Sequence, residues 1–387
     1  MDVKTNKRFE QLPPYLFAEI DRKKFEAQQQ GRKIISLGVG DPDMPTPERI
    51  VKAGQEALKN PSNHHYPFGI GLTSFRETVA KWMRARFNIQ LDLDREIIPL
   101  IGSKEGLAHL LLAFVDTDDV VLVPEPGYPL YYHASIFADA KPYYMPLLKE
   151  NGFMPDLEAI PKNVLNKAKC MFLNYPNNPT SALATEEFLN KVVEFAEKYG
   201  ILIAYDAAYS ELYFDKPPVS FLSVKGAMNV GIEFHSLSKT FNMTGWRIGW
   251  AAGNRKIIEG LKVVKDSYDS GVFNAVQEAA VTALNNYYEL TDPIRKIYKS
   301  RRDVFVGLMK EAGWEIDEPK ATFYVWAKPP KQIGSKQLCL RLMDEANIIA
   351  TPGVGFGPSG EGYVRFALTV NEEVLRESVE KINAVKW

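Results

Sequence analysis

Between about residue 45 and residue 270, short continuous apolar runs alternate with longer stretches whose apolar positions recur at helical spacing. Val120-Val121-Leu122-Val123, Cys170-Met171-Phe172-Leu173, Ile201-Leu202-Ile203-Ala204 and Gly231-Ile232-Glu233-Phe234 predict strands. Ser103 to Phe114 and Thr185 to Tyr199 predict amphipathic helices. A strand followed by a helix, repeated, predicts an α/β fold: a mostly parallel central sheet with helices on both faces. Upstream, Phe17 to Gln30 reads as a helix ended by Gly31. Beyond residue 270 the texture changes. Phe273 to Gly313 reads as a long helical stretch interrupted near Thr291-Asp292-Pro293. Phe323 to Ala327, Ser335 to Ala346 and Tyr363 to Leu368 then read as strand, helix and strand of a smaller α/β unit. This divides the chain into an N-terminal arm over 1–44 that joins the small domain, a large domain over 45–285 and a small C-terminal domain over 286–387.

Composition narrows the function classes. The 387 residues carry 47 basic and 48 acidic side chains, and 45% are hydrophobic. That is an ordinary globular balance with ample material for a core, and it excludes general disorder. The even charge argues against a nucleic-acid or anionic-membrane binder. Runs such as Leu110 to Val115 are far shorter than the roughly 18 residues of a membrane span. Met1 to Glu10 is too polar for a signal peptide, and Cys170 and Cys339 cannot form a disulfide framework. The cytoplasm is the expected compartment. The five histidines show no metal-ligand spacing with one another or with cysteine, so no metal is expected. There is no P-loop, no dinucleotide glycine fingerprint and no nucleophile elbow.

The chemistry lies at the predicted strand ends. Ser236-Leu237-Ser238-Lys239 follows one strand, and Arg247 comes shortly after. Tyr205-Asp206-Ala207-Ala208-Tyr209 ends the strand before it, and Asn174 to Thr180 ends the one before that. Carboxyl ends of parallel strands are where such sheets place ligands. Taken singly, Lys239 could be a solvated lysine, Asp206 a helix N-cap and Asn178 a turn residue. Three such ends at one sheet edge are improbable by accident. Ile101-Gly102-Ser103-Lys104 opens a helix whose free N–H groups favour an anion. Pro126-Gly127-Tyr128-Pro129 puts an aromatic on a nearby loop. An amine, a buried carboxylate, a phosphate cradle and a flat aromatic wall together suit pyridoxal 5'-phosphate.

The order Asn178-Pro179-Thr180, Asp206-x-x-Tyr209, Ser236-x-Ser238-Lys239, Arg247 resembles the class I/II aminotransferases of pyridoxal-phosphate fold type I, over nearly the whole chain. The resemblance implies that Lys239 carries the cofactor aldehyde and shuttles the substrate proton. Asp206 would pair with the pyridinium, Tyr209 and Asn178 would bond the phenolic oxygen, and Tyr128 would stack on the ring. Ser103, Lys104, Ser236, Ser238 and Arg247 would surround the phosphate. Arg365 would clamp the substrate carboxylate, its plain alternative being an edge-strand charge, and Gly40 would allow close approach of the backbone. Tyr66 would reach the phosphate of the neighbouring subunit of a homodimer. Ser181 departs from the family's usual glycine after Asn-Pro-Thr, which bears on the turn there.

The stretches Leu12 to Phe17, Gly102 to Gly106, Phe241 to Arg247 and Asp269 to Asn274 are most similar to the LL-diaminopimelate aminotransferase branch. By that analogy Tyr15 and Lys104, with Tyr128 and Asn178, would help hold the substrate. Substrates would be amino acids and 2-oxo acids, with glutamate as donor in a ping-pong cycle. Aspartate, alanine or broad-specificity aminotransferases share much of this wording. A lyase or cyclopropane-forming synthase on the same scaffold would share Lys239, Asp206 and Arg365. A regulator that kept the fold would need a DNA-binding domain, and the segment before the first motif shows no helix-turn-helix pattern.

Overall fold

The computed structural model describes residues 3–12, 22, 25, 26, 29 and 31–385. Its strands, in chain order, are β1 Ile35–Ser36, β2 Ile97–Leu100, β3 Val120–Glu125, β4 Lys141–Pro146, β5 Ala168–Asn174, β6 Leu202–Asp206, β7 Gly231–Ser236, β8 Gly249–Gly253, β9 Glu315–Ile316, β10 Tyr324–Lys328, β11 Ile348–Ile349, β12 Thr351–Pro352 and β13 Val364–Ala367. Seven of them form the main sheet, in the order β2-β8-β7-β6-β5-β3-β4. β4, β3, β5, β6 and β7 are parallel, and β8 runs antiparallel to both β7 and β2.

Side-chain alternation explains why the strands read as unbroken apolar runs. Val121 and Val123 of β3 point into one layer with Leu107, Leu110 and Leu261, while Val120 and Leu122 point into the other with Leu189, Val192 and Val193. A strand covered on both faces needs apolar residues at every position. The covering helices are Ser103–Phe114 and Arg255–Tyr268 on one side, and Thr73–Phe87, Glu186–Tyr199 and Asn274–Asn285 on the other. The Glu186–Tyr199 helix is bounded as its ends dictate. The Thr185 hydroxyl accepts from the Phe188 N–H, and Gly200 at φ 65° takes the left-handed turn that ends it.

A second apolar cluster surrounds the antiparallel sheet β12-β13-β10-β9. It takes in Phe305 of the long Tyr287–Glu311 helix, Leu338 of Ser335–Ala346 and Leu375 of Glu372–Ala384. The N-terminal segment joins this unit, because β1 pairs in parallel with β11.

The structure departs from the sequence reading in three places. The helical stretch after residue 273 breaks at Asn286, whose side chain caps the first helix through the Thr282 carbonyl at 2.8 Å. Pro293 lies inside the second helix, where a proline removes one donor without ending the helix. Strands β2, β4 and β8 were not expected, since Ile97-Ile98-Pro99-Leu100 holds a proline, Lys141 to Pro146 holds two, and Gly249 to Gly253 is rich in Gly and Ala. Edge position makes Pro99 tolerable in β2. The helix expected over Phe17 to Gln30 lies largely outside the described residues. No described helix is long and apolar enough to cross a membrane.

Candidate active site

The carboxyl ends of β5, β6 and β7 stand side by side. Asn174 is the register partner of Asp206, and Asp206 that of Phe234, two residues before Ser236. To one side, sheet order reverses between β5 and β3, and the loop after β3 carries Tyr128. Above this switch point lies a cavity of about 360 Å³.

Asp206 forms its floor, 5% exposed. Tyr131 Oη donates to Asp206 Oδ2 at 2.8 Å, and the Ala208 N–H donates to Oδ1 at 3.1 Å. Burial pushes the Asp206 carboxyl up to about 6, against the lowering effect of those two bonds and of His235. Lys239 sits in the short helix Leu237–Thr240 directly after β7. Its Nζ reaches into the cavity and donates to the Gly40 carbonyl at 2.6 Å. Burial pushes Lys239 down to about 8. Asp41 opposes that shift, while Arg365 and Arg247 add to it.

One wall can receive an anion. Gly102 at φ 71° opens the Ser103–Phe114 helix, and an added Cβ there would collide with the Arg247 guanidinium. Arg247 is held by the Thr244 carbonyl, which its Nη1 reaches at 2.9 Å. The Ser236 hydroxyl accepts from the Ser238 N–H at 3.2 Å, capping the Lys239 turn. Ser103, Lys104, Ser236 and Ser238 all line the cavity.

The opposite wall comes from the smaller sheet. Arg365 lies on β13, an interior strand between β12 and β10, and is 1% exposed. The edge-strand alternative is thereby excluded. Its Nη1 donates to Asn178 Oδ1 at 2.7 Å and its Nη2 to the Gly38 carbonyl at 2.6 Å. The guanidinium carbon stands 4.2 Å from the centre of the Tyr324 ring and 4.7 Å from that of Phe356. Tyr209 and Tyr324 share a hydroxyl–hydroxyl bond of 2.8 Å. Gly40 admits the Tyr324 hydroxyl where any Cβ would collide with it.

The Asn178 turn explains the serine that departs from the family pattern. Ser181 has φ 62°, the left-handed conformation that suits glycine. Its hydroxyl is 2.7 Å from Thr322 Oγ1 and donates to the Tyr324 carbonyl at 2.9 Å. Those bonds offset the roughly 1–2 kcal/mol cost of a side chain there.

The arrangement offers an amine for covalent capture of a carbonyl, a buried acid, an anion seat and a fork for a carboxylate. Comparison with known proteins bears on what uses it. Residues 32–382 match the family model described as aminotransferase class I and II. The chain belongs to the class I and II aminotransferases. This aminotransferase is 52% identical over 381 residues to LL-diaminopimelate aminotransferase of Aquifex aeolicus, with 98% of each chain covered. It is 50% identical to that of Desulforudis audaxviator, covering 97% of this chain and 96% of that one. Among solved structures, apo-BacF from Bacillus subtilis superposes with a TM-score of 0.96 at 40% identity, over 100% of this chain and 99% of that one. A Thermus thermophilus aspartate aminotransferase mutant superposes with 0.93 at 27% identity, over all of both chains.

Of the residues expected from sequence, the aminotransferase brings Gly40, Ser103, Lys104, Tyr128, Asn178, Asp206, Tyr209, Ser236, Ser238, Lys239, Arg247 and Arg365 to one cavity. Tyr66 is not among its lining residues. Its ring is 74% exposed and stacked on Phe68. Tyr15 lies outside the described residues. Sequence reasoning missed Tyr131, Asn174, Thr244 and Tyr324, which also line the cavity. Tyr324 carried a usable signal, since its hydroxyl needs a partner wherever a strand is buried.

Proposed function

We propose that this aminotransferase uses pyridoxal 5'-phosphate to move an amino group between LL-diaminopimelate and a 2-oxo acid. In the synthetic direction glutamate donates and the open form of tetrahydrodipicolinate accepts, a step toward lysine and cell-wall precursors. The observation that carries the reading is one cavity holding the Lys239 amine, the buried Asp206 carboxylate and the Arg365 fork. The donor set fits the cofactor. An amine suits its aldehyde, a carboxylate on a dry floor suits its pyridine nitrogen, and Gly102 keeps room for Arg247 at the anion seat.

When bound, the cofactor supplies an electron sink for the pair left on the substrate's Cα. The protein's residues do the rest. Asp206 would hold a proton at the ring nitrogen, and Tyr131 and the Ala208 N–H keep its carboxylate oriented. Lys239 would hold the cofactor aldehyde, and its amine would take the proton from the substrate's Cα. Tyr209 and the Asn178 amide would donate toward the phenolic oxygen. Asn178 can do so while its Oδ1 stays on Arg365. Tyr128, which lines the cavity, would stack on the ring. Ser103, Lys104, Ser236, Ser238 and Arg247 hold the phosphate, and Lys104, Tyr128 and Asn178 also face the substrate. A second copy of the chain supplies Tyr66, which accounts for its exposure on a single chain.

Arg365 clamps the α-carboxylate, a bidentate task that one ammonium cannot perform. Arg365→Lys is therefore expected to raise KM for amino acids and 2-oxo acids about 10- to 100-fold, the loss of one charge-assisted bond. Cofactor affinity, read by titration of cofactor fluorescence, is expected to stay within about 3-fold. Equal losses of both would make Arg365 structural.

The substrate assignment is tested by following 2-oxo-acid formation from LL-diaminopimelate, glutamate, aspartate and alanine. LL-diaminopimelate with 2-oxoglutarate is expected to exceed aspartate and alanine by at least about 100-fold in kcat/KM, since a site built for a distal polar group rejects substrates lacking it. Comparable rates with all donors would indicate broad specificity. Ammonia and pyruvate released from one amino acid alone would indicate a lyase.

A further inference from the structure

Lys265, on the Arg255–Tyr268 helix, is 2% exposed, and no step above uses it. Its Nζ donates to Glu105 Oε2 at 2.9 Å and to the two oxygens of Asp269 at 3.2 and 3.1 Å. Both carboxylates are tied to backbone that matters. Glu105 stands in the first turn of the helix that opens at Gly102, and its Oε2 also accepts the Ile101 N–H at 3.0 Å. Asp269 Oδ1 accepts the Gly271 N–H at 2.8 Å, and Gly271 packs against the carbonyl of Pro67, next to Tyr66. His109, one turn beyond Glu105, lies 2.7 Å from Glu105 Oε1 and 3.7 Å from Asp269 Oδ2. Burial would raise the Glu105 carboxyl, but His109 and Lys265 hold it below the usual carboxylate range.

Glu105, His109 and Asp269 bring three ligand atoms within 4.8 Å of one another, as a cation site would. Here the cation is internal, because the Lys265 ammonium already bonds both carboxylates. The location gives this cluster a consequence. An anion at a helix N-terminus gains from the free N–H groups and the dipole, and loses from every negative charge behind them. Glu105 lies directly behind the Ile101–Ser103 turn, and Asp269 shares its lysine. Without an ammonium between them they would repel a bound dianion, and the Ile101 and Gly271 backbone would lose a common anchor.

We propose that Lys265, acting through Glu105 and Asp269, is a positioning residue for the phosphate seat, fixing the turn before Ser103 and the segment beside Tyr66 while offsetting one of the two acid charges there. The inference rests on the pyridoxal-phosphate reading. It concerns the phosphate alone, so it separates two ligands that a general structural role would treat alike.

The test uses the full-length apo-protein and three probes: pyridoxal 5'-phosphate, pyridoxal and inorganic phosphate. In Lys265→Met, affinity for pyridoxal 5'-phosphate and for phosphate is expected to fall at least about 30-fold, as when one partner of a buried charge pair is removed. Affinity for pyridoxal is expected to stay within about 3-fold. Adding Glu105→Gln to that variant is expected to recover part of the loss, because one of the two uncompensated acids is gone. If Lys265→Met does not fold, Glu105→Gln alone carries the test. Its amide oxygen can keep the Ile101 bond, and the preference for pyridoxal 5'-phosphate over pyridoxal is expected to rise. Parallel loss of pyridoxal and pyridoxal 5'-phosphate affinity, or an unchanged preference in both variants, overturns the proposal alone. A wild-type protein that binds none of the three probes overturns it together with the cofactor reading.

Discussion

Lys239→Ala is expected to lower transamination by at least about 10⁴-fold, the upper range for a positioned proton-transfer group, with the loss of covalent capture added to it. In the proposed reaction the residue has two tasks, covalent capture and proton transfer. Its Nζ is bonded to the Gly40 carbonyl inside the cavity, while the other cations lining the cavity are the guanidiniums of Arg247 and Arg365 and the exposed Lys104. Guanidiniums stay protonated and cannot serve as nucleophiles. The same setting predicts a pH dependence. Burial together with the two guanidiniums pushes Lys239 down to about 8, so the free amine grows about tenfold per pH unit below that value and levels off above it. The rate at which apo-protein takes up pyridoxal 5'-phosphate, followed by absorbance, is expected to trace this rise. A flat profile between pH 6 and 8 would mean that another group limits capture.

Asp206→Asn carries the second large effect, about 10³-fold in kcat, which is roughly 4 kcal/mol of barrier. The amide keeps the shape of the carboxylate and can still accept from Tyr131, but it cannot hold a proton on a pyridine nitrogen by charge. Burial outweighs the lowering effect of Tyr131, the Ala208 N–H and His235 and leaves Asp206 at about 6, which disfavours its charged form. A cationic ring partner would reverse that balance and lower it, so that the acid and the ring nitrogen would stabilise each other's charge. Asp206→Glu is expected to retain far more activity than Asp206→Asn if charge decides, with circular dichroism confirming that both fold. Equal activity of Asp206→Asn and wild type would remove Asp206 from the chemistry.

Much of this site was legible because polar residues at strand ends stand out against apolar runs. Asp206 ends β6, Asn178 and Lys239 follow β5 and β7 within a few positions, and parallel pairing alone brings such residues together. Arg365 is a charge inside a buried strand, which is costly unless it is used. Other features were hidden for definable reasons. Tyr131 looks like one more apolar residue of a short helix, and only the fold sets its hydroxyl against Asp206. Tyr324 reads as core, and its contacts with Tyr209 and Ser181 span more than a hundred residues. Strand β8 lacks a periodic signal because its Gly and Ala residues are buried on both faces. Ser181 shows the reverse case. A residue that departs from its family's glycine keeps the left-handed turn, because its own hydroxyl binds the strand carrying Tyr324.

The central claim is a covalent attachment at one lysine. Protein loaded with pyridoxal 5'-phosphate, reduced with borohydride, digested and mapped by mass spectrometry is expected to carry the phosphopyridoxyl group on the peptide containing Lys239. Label on a different lysine, or protein that stays colourless and unlabelled with excess cofactor, would contradict it.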